Sequence, residues 1–231
     1  MIFRQLFDTQ SSTYTYLLAG RRGGEALIID PVLSRVPQYL QLINEMDLKL
    51  VVAIDTHIHA DHVTGIGELR LATQCATAMG DETDADCVCT RFSDGETISV
   101  DGLSMQAWYT PGHTDDSYSF VMRDRVFTGD TLLIRGTGRT DFQNGDAGAQ
   151  YDSLFGRLLK LADETLVYPA HDYAGRTSSS IGEERIHNPR LQVRSRDAYI
   201  AQMEALNLAP PRMLDVAVPA NRLCGLSRAA A

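Results

Sequence analysis

The sequence is poor in several features that would place it in a particular class of protein. Four cysteines in 231 residues are too few for the disulfide framework of a small secreted domain. There is no run of about 18 apolar residues, as a membrane-spanning helix needs, and the first residues lack the basic and then apolar pattern of a signal peptide, so we expect neither export nor membrane spanning. Asp and Glu (30) outnumber Lys and Arg (21), and the net charge of -9 disfavours nucleic-acid binding. We therefore expect a cytoplasmic protein with reduced thiols and neither nucleic-acid nor membrane partners.

Two of the cysteines, Cys87 and Cys89, are separated by a single residue and could ligate a metal. Two thiolates do not complete a tetrahedral zinc site, and no second pair lies nearby in the sequence. Ordinary reduced thiols are therefore the favoured interpretation of this pair.

The overall amino-acid composition is typical of a packed globular domain. Hydrophobic residues make up 44% and charged residues 22% of the chain, which is ordinary for a protein with a core. No repeat, low-complexity tract or composition shift marks a linker. We expect a single domain over residues 1–231.

Hydrophobic patterning predicts strands and helices in alternation. Alternating or continuous short apolar runs predict strands at 13–18, 26–29, 50–54 and 165–168. Apolar positions at helical spacing predict helices over 36–46, 151–162 and 196–206. Asp101-Gly102 predicts a hairpin turn, and a second hairpin is expected around 123–125. This interleaving favours a layered α/β architecture.

The densest chemical motif is Thr56-His57-Ile58-His59-Ala60-Asp61-His62, directly after a predicted strand. Residues two apart in an extended segment point the same way, so His57 and His59 can reach one centre. Three imidazoles and a carboxylate are costly to bury unless a metal compensates them. A solvated polar loop is the plainer alternative, but the spacing favours a metal site.

Three further residues of ligand type each follow a predicted strand: His113, Asp130 and His171. Taken alone, His113 in its Pro-Gly turn is more typical of an ordinary turn histidine. Together they repeat one pattern, because functional groups in layered α/β folds concentrate at strand ends.

In order, these residues resemble the signature of the metallo-β-lactamase superfamily: His-x-His-x-Asp-His, then His, Asp and His. The similarity is greatest to its persulfide dioxygenases, also called sulfur dioxygenases, and covers essentially the whole chain. It is carried by residues 56–65, 127–130, 132–136, 138–143 and 168–173, and by 217–221 with Cys224-Gly225. One departure is Asp115-Asp116 after His113-Thr114, where relatives often continue Pro-Gly; it adds two acids near the site.

The resemblance implies a four-layer αββα sandwich of the α/β class, with a short C-terminal extension and the site at one sandwich edge. It implies that His57, His113 and Asp130 bind one non-haem Fe(II), a facial triad with open positions. The hydrogen-bond partners around these ligands would be His59, Asp61, His62, His171 and Asp172. The implied reaction oxidises glutathione persulfide with O2 to sulfite and glutathione, in a protein that forms a homodimer. Iron itself follows from the resemblance, since such ligands also suit zinc and manganese.

Glutathione carries carboxylates, so the acidic chain should supply local positive charge for it. Arg139 and Tyr173 are the first candidates for binding substrate, because Arg grips carboxylates bidentately and Tyr combines a donor with an apolar face. Arg135 is a third candidate. For each arginine, an ordinary ion pair is the alternative interpretation.

Two other functions fit parts of the sequence. A glyoxalase II-type thioester hydrolase would use two metals and a bridging hydroxide, with ligands His57, His59, Asp61, His62, His113, Asp130 and His171. That group generally has a longer helical C-terminal portion, whereas 60 residues follow His171 here. A catalytically silent sulfur-relay protein could act through Cys224 or the Cys87/Cys89 pair. Persulfide-dependent oxygen consumption would distinguish the dioxygenase from both.

Overall fold

The computed structural model describes residues 1–211 and 213–227, which fall into two compact units. The first contains Met1–Phe92, Thr97–Ser104 and the C-terminal segment from Pro210. The second contains Ser93–Glu96 and Met105–Ala209. A division by contacts does not decide between one domain and two, so the single domain over 1–231 stays a prediction.

The secondary structure alternates between strands and helices, as the patterning predicted. The strands are β1 (Ile2–Asp8), β2 (Thr13–Ala19), β3 (Glu25–Ile29), β4 (Lys49–Ile54), β5 (Ala76–Gly80), β6 (Thr90–Phe92), β7 (Thr97–Val100), β8 (Leu103–Tyr109), β9 (Tyr118–Val121), β10 (Arg125–Phe127), β11 (Leu166–Tyr168) and β12 (Ser179–Ser180). The helices are α1 (Val36–Glu45), α2 (Ile66–Thr73), α3 (Ala147–Gly156), α4 (Ile181–His187), α5 (Arg196–Glu204) and α6 (Leu214–Asn221). Short 3-10 turns occupy Leu33–Arg35, Leu158–Lys160 and Pro189–Leu191.

The first unit is built on a sheet in which β1 to β6 lie side by side in chain order. The pairs β1–β2 and β2–β3 are antiparallel, and β3 to β6 run parallel. β2 is buried at every position. The apolar side of α1, formed by Val36, Tyr39 and Ile43, packs into the core with residues of β2, β3 and β4. The parallel strands bring the ends of β3 and β4 to one edge, where the first group of polar residues begins.

The second unit contains most of a mixed sheet of order β12-β11-β10-β9-β8-β7. β10 and β11 are parallel, while β8–β9, β9–β10 and β11–β12 are antiparallel. Its core brings β10 and β11 together with α3 and α5, and includes Val126, Leu154, Val167 and Tyr199. The parallel pair again places two strand ends, at Phe127 and Tyr168, beside each other.

The predicted strands and hairpins are confirmed. The helices predicted over 36–46 and 196–206 end slightly earlier, at Glu45 and Glu204, and the helix predicted over 151–162 differs at both ends. Asp101 and Gly102 have the positive φ values that a tight hairpin requires (38° and 84°). The helix predicted over 151–162 begins earlier, because the Asp146 side chain caps it by accepting a hydrogen bond from the Ala149 N–H. It ends at Gly156, after which a short 3-10 turn continues the apolar run.

In the described part of the chain, no helix combines the length and hydrophobicity needed to cross a membrane.

Candidate metal centre

The histidine loop, residues 56–65, leaves the end of β4 in the first unit. Its three histidines are buried, although imidazole is polar: His57 is 1% exposed, His59 0% and His62 4%. The loop backbone is fixed to the segment after β3, since the Gly65 N–H donates to the Pro31 carbonyl and the Leu33 N–H donates to the Val63 carbonyl. The backbone of the histidine loop is therefore held at the edge of the sheet, which fixes the positions of its side chains.

A buried aspartate after β3 orients the first histidine through a threonine. Asp30 accepts hydrogen bonds from the Thr56 N–H (2.7 Å) and from the Thr56 hydroxyl (3.1 Å). The Thr56 Oγ1 lies 2.9 Å from His57 Nδ1. Because the single hydroxyl proton is given to Asp30, Thr56 must accept the bond from His57 Nδ1–H. The lone pair of His57 is then on Nε2, as a metal ligand requires.

Three residues of the histidine loop, His59, Asp61 and His62, form a cluster. Their candidate ligand atoms lie within 4.8 Å of one another. Asp61 Oδ2 is 2.9 Å from His62 Nδ1, and the Thr13 hydroxyl donates to the same oxygen. His59 Nε2 contacts Asp30 at 3.2 Å, while its buried Nδ1 has no hydrogen-bond partner among the described residues. An orphaned ring nitrogen in a carboxylate-rich cluster fits a metal ligand.

The charge of this cluster favours a cation. Burial alone would lower the pKa of His59, but the nearby carboxylates of Asp30, Asp55 and Asp61 outweigh it and raise the pKa to about 9. Without a metal the cluster therefore holds a proton on His59, and a metal ion would have to displace that proton.

In the second unit, Asp130 lies after β10 and is shared by two histidines. His171, after β11, donates from Nδ1 to Asp130 Oδ1 at 2.7 Å. His113, in the loop between β8 and β9, donates from Nδ1 to the Arg139 carbonyl at 2.7 Å, so its lone pair is on Nε2. That Nε2 faces Asp130 Oδ2 at 3.4 Å.

The spacing of these two facing atoms fits a shared cation. Two acceptor atoms repel each other unless a proton or metal lies between them. Two ligands at a right angle, each about 2.1 Å from one ion, would be about 3 Å apart. The chain approaches closely here, since a side chain at Gly138 would clash with the Asp130 carbonyl and the His113 ring. The residues of each unit therefore fit a metal.

The predicted substrate-binding residues have different surroundings. Arg139 forms a bidentate pair with Asp141 (2.6 and 2.7 Å) and also donates to the Ala209 carbonyl. Arg135 forms ion pairs with Glu183 and Glu184, and Glu184 is fully buried. Tyr173 is 75% exposed, and its ring lies parallel to that of His171 at 6.0 Å. Their role in binding substrate stays a prediction.

The extra acids of the Asp115-Asp116 departure are both used in the loop structure. Asp116 is buried and accepts from the Thr114 hydroxyl at 2.6 Å, and Asp115 accepts from the Asn144 side chain at 2.9 Å. Asp172, predicted to support the ligands, closes the turn after His171 by accepting from the Ala174 and Arg176 N–H groups.

Two important residues were absent from the sequence-based assignment. Asp30, directly after β3, was not among the predicted site residues. Asn221, at the end of α6, donates to the His59 and His62 carbonyls (2.8 and 2.9 Å) and accepts from the Thr64 N–H (2.8 Å). It is 2% exposed. The only signal for it was its place in the C-terminal motif that carries the family resemblance.

The prediction that all four cysteines are reduced is wrong for two of them. Cys87 and Cys224 form a disulfide across 137 residues of sequence, and Cys75 and Cys89 are free. The pairing arises because the turn after α6 is fixed on α2, where the Gly67 N–H donates to the Cys224 carbonyl at 3.0 Å. No local sequence pattern predicts a contact between residues so far apart in the chain.

Comparison with known proteins identifies the family. The model of the metallo-β-lactamase superfamily matches residues 8–87 and 88–171. A metallo-β-lactamase from Staphylococcus aureus is 25% identical, with a TM-score of 0.90 over 98% of this chain and 73% of that one. The chain thus has the predicted metallo-β-lactamase fold of two mixed sheets with helices.

Within that superfamily, similarity is stronger to one group. The mitochondrial persulfide dioxygenase ETHE1 of Mus musculus is 44% identical over 98% of this chain and 89% of its own length. The crystal structure of ETHE1 from Myxococcus xanthus is 54% identical, with a TM-score of 0.95 over 98% of this chain and all of that one. The chain belongs to the persulfide dioxygenase family.

A hydrolase is a more remote relative. Hydroxyacylglutathione hydrolase of Tolumonas auensis is 34% identical over 75% of this chain and 66% of its own length.

Proposed function

We propose that this chain is a persulfide dioxygenase, which oxidises glutathione persulfide with O2 to sulfite and glutathione at a single non-haem Fe(II). The observation that carries the proposal is 44% identity to a persulfide dioxygenase over 98% of the chain. The buried histidines and carboxylates of both units support a metal-dependent reaction.

The metal ligands in this proposal are His57, His113 and Asp130. Local hydrogen bonds support the assignment, since the Nδ1 of each histidine donates to an oxygen, which orients the ring and puts its lone pair on Nε2. Two histidines and one carboxylate form the triad typical of non-haem Fe(II) oxygenases. When bound, the iron supplies open positions where O2 and a sulfur substrate can meet, and a redox capacity that side chains lack.

The surrounding residues hold these ligands in place. His171 fixes the Asp130 carboxylate through the 2.7 Å hydrogen bond to Oδ1. Thr56 and the Arg139 carbonyl each fix one imidazole. In the same proposal, His59, Asp61 and His62 hold or move protons beside the reacting groups. Such supporting contacts are typically worth about 10- to 100-fold in metal affinity or activity.

Glutathione binding is proposed for Arg139, Tyr173 and Arg135. The exposed Tyr173 side chain combines an apolar ring with a hydroxyl, which suits a ligand with both apolar and polar parts. Each arginine is paired with an acid, so a substrate carboxylate would have to replace or join that acid. We expect Tyr173→Ala to raise KM for glutathione persulfide more than Arg135→Ala does, and steady-state kinetics would show it.

The test is metal analysis of protein purified without air, combined with oxygen uptake on addition of glutathione persulfide. About one iron per chain, with persulfide-dependent uptake and sulfite release, is the expected result. Asp130→Ala should lose iron and activity together. The matched control is Asp115→Ala, which removes an exposed acid from the same unit and should keep both. Retention of both by Asp130→Ala would contradict the ligand assignment.

A glyoxalase II-type thioester hydrolase is the second candidate. The observation that favours it is the His59, Asp61 and His62 cluster, which could hold a further metal. About two metals per chain, hydrolysis of a glutathione thioester and no oxygen uptake would establish this alternative and refute the dioxygenase.

A cytoplasmic location and a homodimer also belong to the proposal. The argument for the cytoplasm from reduced thiols is weakened by the disulfide. Cell fractionation with an antibody to the chain would test the location, and sedimentation at equilibrium would test the dimer.

A further inference from the structure

The Cys87–Cys224 disulfide attaches the C-terminal segment to the body of the first unit. Cys87 lies between β5 and β6, and Cys224 lies three residues after the end of α6. Gly225 packs so closely on the Thr64 carbonyl that a side chain there would clash. The C-terminal segment therefore contacts the histidine loop before Cys224, through Asn221, and after it, through Gly225.

The same segment holds the histidine loop in place through Asn221. Its amide satisfies two loop carbonyls, those of His59 and His62, and one loop N–H, that of Thr64. Backbone groups buried this deeply are costly to leave unpaired. A change that released Cys224 would remove the nearest covalent restraint on Asn221, and so would weaken the restraint on the loop.

The two cysteine residues differ in exposure. Cys224 is fully buried (0% exposed), whereas Cys87 is half-buried. Attack by a thiolate on a disulfide requires access to the attacked sulfur. An external thiol can therefore approach Cys87, and Cys224 is the leaving group.

A positive charge lies beside the accessible cysteine. Arg70, on α2, donates from Nη1 to the Cys87 carbonyl at 2.7 Å, and the same atom is 3.8 Å from Cys89 Sγ. Hydrogen bonds from Thr77, with help from Arg70, lower the pKa of the Cys89 thiol. Arg70 therefore places one positive charge beside the Cys87 backbone, while the exposed acids Asp84 and Asp86 lie just before Cys87 in the chain.

We propose that Cys87–Cys224 is a thiol-exchange site for small thiols, and that its opening loosens the hold of Asn221 on the histidine loop. This inference is independent of the proposed dioxygenase reaction.

The exchange has two steps. A thiolate attacks Cys87 Sγ, a new S–S bond forms to that sulfur, and the Cys87–Cys224 bond breaks with its electron pair leaving on Cys224, which takes a proton from water. A second thiolate then attacks the small-molecule sulfur of the adduct and releases Cys87 as a thiolate. Overall, two thiols are oxidised to their disulfide and the protein disulfide is reduced by two electrons.

The experiment treats the folded protein with reduced glutathione, blocks new thiols by alkylation and locates them by mass spectrometry. The expected result is a glutathione adduct on Cys87 with an alkylated Cys224. Amide hydrogen exchange in residues 57–65 and 217–225 should rise about tenfold or more, while β2 and β3 stay protected. The proposal is overturned by an adduct on Cys224, by no reaction of the folded protein, or by exchange that rises everywhere or not in the loop.

Two variants sharpen the test. Arg70→Gln should slow the reaction with glutathione, whose thiolate form also carries carboxylates, more than the reaction with 2-mercaptoethanol, whose thiolate carries no other charge; equal slowing of both would refute the role of charge. Cys89→Ser keeps the disulfide and should give the same Cys87 adduct. The hydrogen-exchange readout needs neither iron nor activity, so a failed dioxygenase assay would leave this result unaffected.

Discussion

The hydrogen-bond relay from Asp30 through Thr56 to His57 makes a sharp prediction for Asp30→Asn, which changes charge and one acceptor but almost no volume. The new amide keeps its oxygen toward the Thr56 N–H, because an NH2 group there would face a donor. Its NH2 group then donates to the Thr56 hydroxyl. That hydroxyl must give its proton to His57 Nδ1, and the histidine proton moves to Nε2, which can no longer ligate a metal.

The magnitude follows from the hydrogen bonds that metal binding would break. To free Nε2, the buried Thr56 hydroxyl, on a residue only 1% exposed, must lose one of its bonds. A buried polar group left unpaired costs about 1–3 kcal/mol. At 1.4 kcal/mol for each factor of ten, we expect metal affinity to fall by about 10- to 100-fold.

Competition with a chelator of known affinity measures this loss. Thr56→Ser is the matched control, because it keeps the hydroxyl and should bind metal within about threefold of the wild type. Glu184→Gln, which changes a buried carboxylate of the second unit, controls for a general effect of such substitutions. Wild-type affinity in Asp30→Asn would refute the relay.

Three further predictions concern stability, measured by urea unfolding. Asn221→Ala leaves three buried loop groups unpaired and should lower the free energy of unfolding by about 2–4 kcal/mol; a loss below 1 kcal/mol would mean that water replaces the amide. Glu184→Met removes the buried partner of Arg135, which keeps only the exposed Glu183, and should cost about 2 kcal/mol or more; an unchanged midpoint would argue against this pair. Asp8 is buried; desolvation opposes the shift, but hydrogen bonds from Ser11 and Arg35 lower its pKa below 3.8. Its stabilisation relative to Asp8→Asn should be complete above that pH and vanish as the pH falls through the lowered pKa; a pH-independent difference would contradict this.

The parts of the fold and site that the sequence predicted are those encoded locally. Short apolar runs such as 50–54 favour strands because they are too short for a typical helix, and the ligand types follow them directly in the chain. The helix start at Asp146 was missed because its cap lies outside the apolar pattern that was used to place the helix.

The parts that were missed depend on contacts between distant residues. Asp30 acts on a residue 26 positions away, and Cys87 pairs with a residue 137 positions away. The sequence around each of these residues does not indicate its partner, because the two residues of each pair come together only when the chain folds. The ion pairs of Arg135 and Arg139 were equally invisible in a single sequence.

His113 is oriented by the main chain of residue 139 rather than by its side chain. A carbonyl is the same in every amino acid, so the imidazole is indifferent to which residue occupies this position. The preceding position has the opposite character, since any Cβ at Gly138 would displace His113 and Asp130. A library of all substitutions should therefore find Gly138 intolerant of almost any side chain, whereas changes at Arg139 should disturb its pair with Asp141 and any substrate contact but leave His113 oriented.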